Sequence, residues 1–286
     1  MSRVKIYVPR ETTSVSVGAD EVALAIARHA KASGDIVQLV RNGSWGACWL
    51  EPLVEVEVDG ARIAYRNVTP EDVPGLFDAG LLEGGDHEKR LGPTIEEPYL
   101  ITQDRWTFWR CGLIEALSLE DFQAHHGFKA LQKAWDIGAD AVIDAVTESG
   151  LRGRGGAGFP TGIKWRTVAD AAGDQKYIAC NADEGDSGTF SDRMLMEGDP
   201  FGLIEAMAVA GFAVGASKGY IYLRSEYPLT HMILTRAIAT ARDAGWLGND
   251  IQGSGFDFDI ELHLGAGSYV CGEETAMLES LEGKKG

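Results

Sequence analysis

From about residue 129 the chain alternates stretches of strand and helix character, and this alternation limits the fold more than any other feature. "KYIACN", "KGYIYLR" and "FDFDIELHLG" have the composition of strands, and the last places alternate apolar side chains on one face. "LIEAMAVAGFAVGAS" and "THMILTRAIATARDAG", which lie between them, have helical spacing. Strands that alternate with helices predict a parallel sheet, in which ligands bind at the carboxyl ends of the strands.

Two acidic loops follow predicted strands and therefore fall at this edge of the sheet. "NADEGDSGTFSDR" and "GAGSYVCGEET" come after the first and the third strand. Carboxylates repel phosphate but accept hydrogen bonds from sugar hydroxyls and ring N–H groups. The candidate groups are Asn181, Asp183, Glu184, Asp186, Asp192, Glu273 and Glu274.

Each acidic loop also has a plainer interpretation. The first is either a solvated charge run or a calcium loop, although its spacing does not match the EF-hand pattern. The acids Glu273 and Glu274 stand where a helix begins, and the helix dipole favours acids there whatever their function.

A third loop, "GLRGRGGAGFPTGIKW", runs from Gly150 to Trp165 and is basic. It satisfies G-x-G-x-x-G, but the dinucleotide fingerprint needs a preceding strand, and here the helical pattern "ADAVIDAVTESG" precedes. No Ser or Thr follows Lys164, so the P-loop pattern also fails. Glycines allow successive N–H groups to form an anion-binding nest, and three side chains could neutralise a phosphate there: Arg152, Arg154 and Lys164. The alternative is a flexible linker, which the bulky Phe159 and Pro160 disfavour.

Residues 1–82 predict a separate small α/β module. "VKIYV" and "IVQLV" predict strands, and "ADEVALAIARHAKASG" predicts a helix that ends at Gly34. "PLVEVEVDGARIAYRNV" predicts a hairpin that turns at Asp59-Gly60, and "TPEDVPGLFDAGLL" a closing helix with Thr69 as N-cap. Residues 83–128 have no sustained period and are predicted to be a connector, which leaves 129–286 as the second domain.

The composition excludes two classes of function. The 286-residue chain has 26 basic and 43 acidic residues, and its formal net charge of −17 has the wrong sign for binding nucleic acid. No run of about 18 apolar residues occurs, so direct membrane insertion is not expected. The four cysteines lie far apart and the N-terminus lacks a signal-peptide pattern, which predicts reduced thiols and a cytoplasmic protein.

Taken in order, the three loops resemble those of one family: the NADH-binding, FMN-carrying subunit of respiratory complex I and its relatives in NAD-reducing hydrogenases and NAD-dependent formate dehydrogenases. The resemblance covers residues 139–286 and, more loosely, the N-terminal module. It implies an α/β fold in which a Rossmann-like FMN-binding domain with a parallel sheet follows a small thioredoxin-like module. Ser187, where complex I subunits more often have proline, and the fusion of both parts in one chain favour the β subunit of a formate dehydrogenase.

The resemblance also implies the cofactors FMN and NAD and a role for each loop. FMN is expected against the residues Gly153, Arg154, Gly155 and Gly156, with Lys164 near its phosphate. The ribityl chain and ring edge are expected against Asn181, Asp183 and Glu184, and four more residues complete the pocket: Tyr269, Gly272, Glu273 and Glu274. NADH is expected to stack beside Phe159, with Asp186 and Glu274 near its polar groups.

In this family hydride passes directly from nicotinamide to the flavin, so no side chain needs to act as acid or base. The resemblance therefore assigns to Glu184 a catalytic role in tuning the ring. Gly155 is expected either in a left-handed conformation or so close to the flavin that no Cβ fits.

Two departures from the family limit the function. The ferredoxin module of the family holds a [2Fe–2S] cluster on four cysteines, but alignment puts Pro9, Ser14 and Ser44 in three of the places and leaves only Cys48. The family also continues into a region with a [4Fe–4S] cluster, whereas this sequence ends at Gly286. We therefore expect a fragment or truncated gene product whose own residues bind no metal.

The implied partners are NADH and the catalytic α subunit and [2Fe–2S] γ subunit of a formate dehydrogenase-like complex. Three alternatives remain open. The chain is an NADH-oxidising subunit of complex I or of an NAD-reducing hydrogenase, a remnant that docks to partners without chemistry, or an unrelated NAD dehydrogenase that uses the G-x-G-x-x-G pattern.

Overall fold

The computed structural model describes residues 3–285 and divides the chain into two compact units. The first unit extends to Ser118 and includes Glu197–Asp199. The second consists of Leu119–Met196 and the chain from Pro200 onward. The second unit therefore begins at Leu119, earlier than the start at 129 that the sequence pattern predicts.

The first unit contains a five-stranded mixed sheet. Its strands are β1 Val4–Tyr7, β2 Val37–Val40, β3 Val54–Val58, β4 Ala61–Tyr65 and β5 Arg90–Pro93. They lie in the order β2-β1-β3-β4-β5, with β1 and β2 parallel and the other neighbours antiparallel. Its helices are α1 Thr12–Ser16, α2 Ala19–Ser33, α3 Val73–Asp78 and α4 Pro98–Ile101. The β3–β4 turn is tight because Asp59 and Gly60 both have positive φ, of 50° and 80°.

The two faces of this sheet belong to separate apolar clusters, since side chains alternate along a strand. Ile63 and Tyr65 of β4 lie in the larger cluster, which also contains Ile26 of α2. Ala64, between them, faces the other way and belongs to a smaller cluster. The other buried members of the smaller cluster are Ala47, Leu50 and Leu53.

The structure differs from the prediction that residues 83–128 form only a connector. Arg90–Pro93 of this range forms β5 and pairs with β4, and Pro98–Ile101 forms α4. A short segment with Gly92 and Pro93 has little strand propensity of its own. Its pairing is decided by the open edge of β4, which the sequence pattern does not reveal.

The second unit contains a parallel sheet, which confirms the predicted fold class. Its strands are β6 Tyr177–Ala182, β7 Lys218–Leu223 and β8 Asp259–Leu264, in the order β6-β7-β8. The remaining helices of the chain are α5 Leu119–Ala124, α6 Lys129–Ile137, α7 Ala139–Glu148, α8 Thr161–Asp170, α9 Ser191–Gly198, α10 Pro200–Val214, α11 Pro228–Asp243 and α12 Glu274–Leu281. None of the helices in the described part of the chain is long and apolar enough to cross a membrane.

Strand β8 begins at Asp259, later than the alternating run from Phe256 predicts. Asp259 pairs with Lys218, the first residue of β7, so the ladder has no partner before this point. Phe258 instead forms an isolated bridge with Gly248 and is fully buried. At their other ends the three strands terminate at one edge of the sheet, where the two acidic loops begin.

Candidate functional site

The structure brings the three predicted loops together. The Asn181 amide Nδ2, at the end of β6, donates to the carbonyl oxygen of Gly272, 2.8 Å away. A Cβ on Gly185 would lie 2.9 Å from the ring of Tyr269, so the two acidic loops are in close contact. Lys164 Nζ of α8 lies 3.5 Å from the Glu274 carboxylate of α12, which links the basic loop to the same edge.

The basic loop folds into a hairpin-like turn before α8. The Gly153 N–H donates to Phe159 O at 2.9 Å, and the Thr161 N–H donates to Leu151 O at 2.9 Å. Within this closure, the backbone N–H groups of residues 154–158 donate to no acceptor in the part of the chain that the structure describes. Unused N–H groups that precede a helix N-terminus form the type of nest that binds phosphate.

The glycines of this loop have different constraints. Gly156 and Gly158 have positive φ, of 102° and 61°, where an L side chain is strained. The expectation of a left-handed conformation at Gly155 is wrong, because its φ is not among the positive ones. A Cβ on Gly155 would meet no atom of the described residues beyond its chain neighbours within 4 Å, so a ligand is what could exclude it.

Gly162 has a structural role that also positions the loop. A Cβ at this position would lie 2.2 Å from the Thr147 hydroxyl oxygen and 2.7 Å from Thr147 Cα. Helix α8 therefore approaches α7 closely at Thr147, and this contact fixes the start of α8 directly after the loop.

The basic side chains of the loop are held by backbone carbonyls and by one carboxylate. Arg152 Nη1 donates to Gly158 O at 2.8 Å, and Arg154 Nη1 donates to Arg152 O at 2.6 Å. All three side chains named as phosphate ligands remain exposed, including Lys164 in its ion pair. An exposed ion pair of this type contributes less than about 1 kcal/mol, so Lys164 can exchange Glu274 for a phosphate at little cost.

Glu184 is buried and caps a helix. Its Oε1 accepts from the Ser191 hydroxyl at 3.2 Å and from the Asp192 N–H at 2.9 Å. Its Oε2 accepts from the Arg193 N–H at 3.2 Å and from the Tyr227 hydroxyl at 3.0 Å. The carboxylate that the resemblance assigns to flavin tuning is thus fully used in satisfying the N-terminus of α9.

The Asp183 carboxylate differs from that of Glu184 in its hydrogen bonding. No described residue donates a hydrogen bond to its carboxylate, although the side chain is partly buried. Burial raises the pKa of Asp183, while the positive charge of Arg224 opposes this rise. An acceptor without a protein donor at this edge is suited to the hydroxyl groups of a ligand.

The other predicted acids hold the loops in shape. Asp186 accepts from the Gly188 N–H at 3.2 Å and the Thr189 hydroxyl at 3.0 Å, within its own turn. Glu273 is the N-cap of α12 and accepts from two backbone N–H groups, both at 3.0 Å, which lowers its pKa. The two aromatic residues expected at the pocket are both exposed, Phe159 by 51% and Tyr269 by 76%.

Sequence reasoning missed a fourth segment of the site, which follows the central strand β7. Arg224 donates to the carbonyl oxygen of Glu184, and the Tyr227 hydroxyl donates to its carboxylate. Burial and the nearby Glu184 raise the pKa of Tyr227 to about 12, so this hydroxyl keeps its proton. The rule that ligand loops follow the carboxyl ends of all parallel strands is the signal that could have found these residues.

In the first unit, the positions aligned with cluster ligands surround buried carboxylates. Ser44 donates to Glu51 Oε1 at 2.8 Å, and the Leu53 N–H donates to Glu51 Oε2 at 2.8 Å. Burial raises the pKa of the Cys48 thiol, and the charges of Glu11 and Glu51 raise it further. These residues do not fit an iron–sulfur cluster, which needs four thiolates.

A parallel α/β sheet whose loops carry a basic stretch with unused N–H groups and an unused carboxylate is suited to a phosphorylated, sugar-containing cofactor. Residues 146–286 match the family described as the Nuo51 FMN-binding domain. The match confirms the resemblance that the three loops predict, to the NADH-binding FMN subunits of complex I and related enzymes. FMN and NAD(H) are the cofactors expected of that family.

The chain is similar to subunits of several enzymes. It is 54% identical over 176 residues to the NADP-reducing hydrogenase subunit HndC of Solidesulfovibrio fructosivorans, covering 62% of this chain and 36% of that protein. It is 50% identical over 197 residues to an NADH-quinone oxidoreductase subunit of Aquifex aeolicus, covering 69% of this chain and 46% of that protein.

Among solved structures, an NAD⁺-reducing [NiFe]-hydrogenase in the H₂-reduced state is 26% identical, with a TM-score of 0.48 over 99% of this chain and 46% of that chain. The present chain spans less than half of the length of each of these proteins.

Proposed function

We propose that this chain binds FMN and NAD(H) at the three loops and passes electrons between them, as the diaphorase part of a multi-subunit enzyme. The observation that carries the proposal is that unused backbone donors in the basic loop and an unused acceptor in an acidic loop lie on segments that the Lys164–Glu274 ion pair and the Asn181–Gly272 hydrogen bond link to the carboxyl edge of the parallel sheet. The N–H groups of residues 154–158 suit a phosphate, and the Asp183 carboxylate suits the hydroxyls of a ribityl chain.

The residues of the three loops suit FMN in the space, the charge and the loop spacing that they provide. The open space at Gly155 leaves room for a flat ring against the backbone, and the exposed Arg154 and Lys164 are available to neutralise a phosphate. Asn181 and Gly272 are joined by a hydrogen bond and so hold the two acidic loops at a fixed distance.

FMN, when bound, supplies the redox chemistry, since it takes up a hydride from NADH and can release the electrons singly. The residues of this chain contribute orientation. Phe159 and Tyr269 offer exposed apolar faces for stacking, and Asp186 with Glu274 supplies carboxylates for the polar groups of NADH. Glu184 acts on the site indirectly, because its four hydrogen bonds hold the loop that presents Asp183.

Within this proposal the assembly is a cytoplasmic, formate dehydrogenase-like complex with a catalytic α subunit and a [2Fe–2S] γ subunit. Ser187 and the fusion with a thioredoxin-like module support this choice. The names of the relatives support the second candidate, a subunit of complex I or of a hydrogenase. The four described cysteines are free, which agrees with a reducing compartment.

The first experiment measures flavin content in Gly155→Val. Among the described residues no atom beyond the chain neighbours lies within 4 Å of a Cβ here, and φ is not positive, so the fold should be kept while the ligand is excluded. We expect flavin fluorescence released on denaturation to fall to background in this variant and to stay normal in the exposed control Ala171→Val. Normal flavin content in Gly155→Val would refute the placement.

The second experiment separates the diaphorase reaction from the assembly. We expect NADH:ferricyanide activity from the FMN-loaded chain, because a small oxidant reaches the flavin directly. We expect formate-driven NAD⁺ reduction to stay at background when the cluster-bearing α subunit is added, since residues 3–285 hold no set of ligands for a cluster that could carry the electrons. Formate-dependent NADH formation, followed at 340 nm, would contradict that electron route.

A further inference from the structure

The first unit contains a cavity that the proposed diaphorase reaction does not use. It has a volume of about 140 Å³ and lies against the sheet face that carries Ala64. Its apolar lining is formed by Trp45, Ala47, Leu50, Leu53, Ala64, Leu91, Pro93, Pro98 and Leu100. Protein interiors rarely leave a void this large, and an engineered cavity of about 150 Å³ accepts benzene. The cavity is therefore large enough for one apolar side chain.

Exposed apolar residues alternate in sequence with residues that line the cavity. Trp49 precedes the lining Leu50 and is 56% exposed, and Ile95 precedes the lining Glu96 and is 80% exposed. Tyr99 lies between the lining residues Pro98 and Leu100, and its ring is 4.8 Å from that of Trp49. An apolar pocket with an exposed aromatic rim has the form of a protein-binding hot spot and not that of a closed core.

The charge at this rim is negative. Glu96 and Glu97 both line the cavity, and the first is exposed and the second half-buried. The guanidinium of Arg105 lies over the Trp45 ring, but its Nη atoms donate to the carbonyl oxygens of Trp45, Phe108 and Cys111. The chain as a whole carries a net charge of −17, which adds a long-range attraction for cations.

We infer that this cavity is a docking site for a partner protein segment that inserts one large apolar side chain and places lysine or arginine residues beside Glu96 and Glu97. The apolar side chain fills the cavity against Leu53 and Ala64, and its neighbours pack on Trp49 and Tyr99. The acidic rim selects a basic segment over an acidic one, because like charges at the rim repel.

The test uses the whole chain and a synthetic peptide with one phenylalanine flanked on each side by lysines. Binding is followed by NMR of the indole N–H signals of Trp45 and Trp49. We expect saturable shifts at both, and at least about tenfold weaker binding for peptides with serine in place of phenylalanine or glutamate in place of lysine. Equal binding of the three peptides, or no shift at either indole, would overturn the inference.

Two variants test the cavity and the rim separately. Ala64→Leu fills the cavity and should weaken peptide binding at least about tenfold, whereas the exposed Ala32→Leu should not. The double variant Glu96→Lys/Glu97→Lys should weaken binding and reduce its salt dependence, whereas Glu71→Lys/Asp78→Lys, at two exposed positions and with the same change in net charge, should change both much less. Binding of xenon or free indole without binding of the peptide would show a small-molecule pocket and would also overturn the inference.

Discussion

The pH dependence of the first unit should follow from one buried carboxyl group, Glu51. Burial raises the pKa of Glu51 from 4.5 to about 7, while the Leu53 N–H and the Ser44 hydroxyl oppose the rise. The folded chain therefore binds more protons than the unfolded chain between these pH values. The stability that Glu51 contributes is fully present below about pH 4.5 and is lost as the pH rises through about 7.

The magnitude follows from the difference of the two pKa values. A difference of one corresponds to ~1.4 kcal/mol, so the change from 4.5 to about 7 corresponds to roughly 3 kcal/mol of unfolding free energy. The side chain is 6% exposed, so solvent screens this effect little. In Glu51→Gln the amide keeps a neutral group of the same shape next to Ser44 and the Leu53 N–H.

The assay is hydrogen exchange of β1 and β3 amides in the full chain, because it reports on the first unit alone. Wild type and Glu51→Gln are compared at the same pH, so the intrinsic exchange rates cancel. We expect similar protection near pH 5 and a variant more stable by roughly 3 kcal/mol near pH 9, with no such gain in the exposed control Glu71→Gln. An equal difference between wild type and Glu51→Gln at both pH values would refute the reasoning.

Three further outcomes are expected. Tyr227→Phe removes a hydroxyl that donates to Glu184 at 3.0 Å, so the second unit should lose about 1 kcal/mol of unfolding free energy. The affinity for FMN should also fall. An unchanged flavin titration would show that Glu184 does not act on the site. Gly156→Val, at a φ of 102°, should cost about 1–2 kcal/mol in thermal unfolding, whereas Gly155→Val should cost almost nothing, and equal costs would contradict the loop geometry. Anaerobically purified protein should give no [2Fe–2S] EPR signal after dithionite and no stoichiometric iron, and one cluster per chain would overturn the alignment of Ser14 and Ser44 with cluster ligands.

Elements with a sustained apolar pattern can be predicted from the sequence. Helical spacing predicts the helix that ends at Gly34, and it is α2, whose C-cap is Gly34 with a φ of 82°. Short apolar runs between turn residues likewise predict the strands β6 and β7. In both cases the burial of one helix face, or of a whole strand, leaves a pattern of apolar residues. This pattern is visible in the sequence without knowledge of the elements that pack against it. Segment β5 has no such period, because its pairing depends on an edge presented by β4.

By itself, the sequence determined the family, the parallel sheet and the three loops that meet at its edge, because these depend on residue type and on order along the chain. The tertiary structure decided which acid is available to a ligand. Glu184 and Asp183 are adjacent, yet the donors of Glu184 include Tyr227, which is 43 residues away, while Asp183 receives none from the described residues. Whether a carboxylate already accepts hydrogen bonds within the protein depends on donors that only the fold brings within reach. No local sequence pattern specifies these donors.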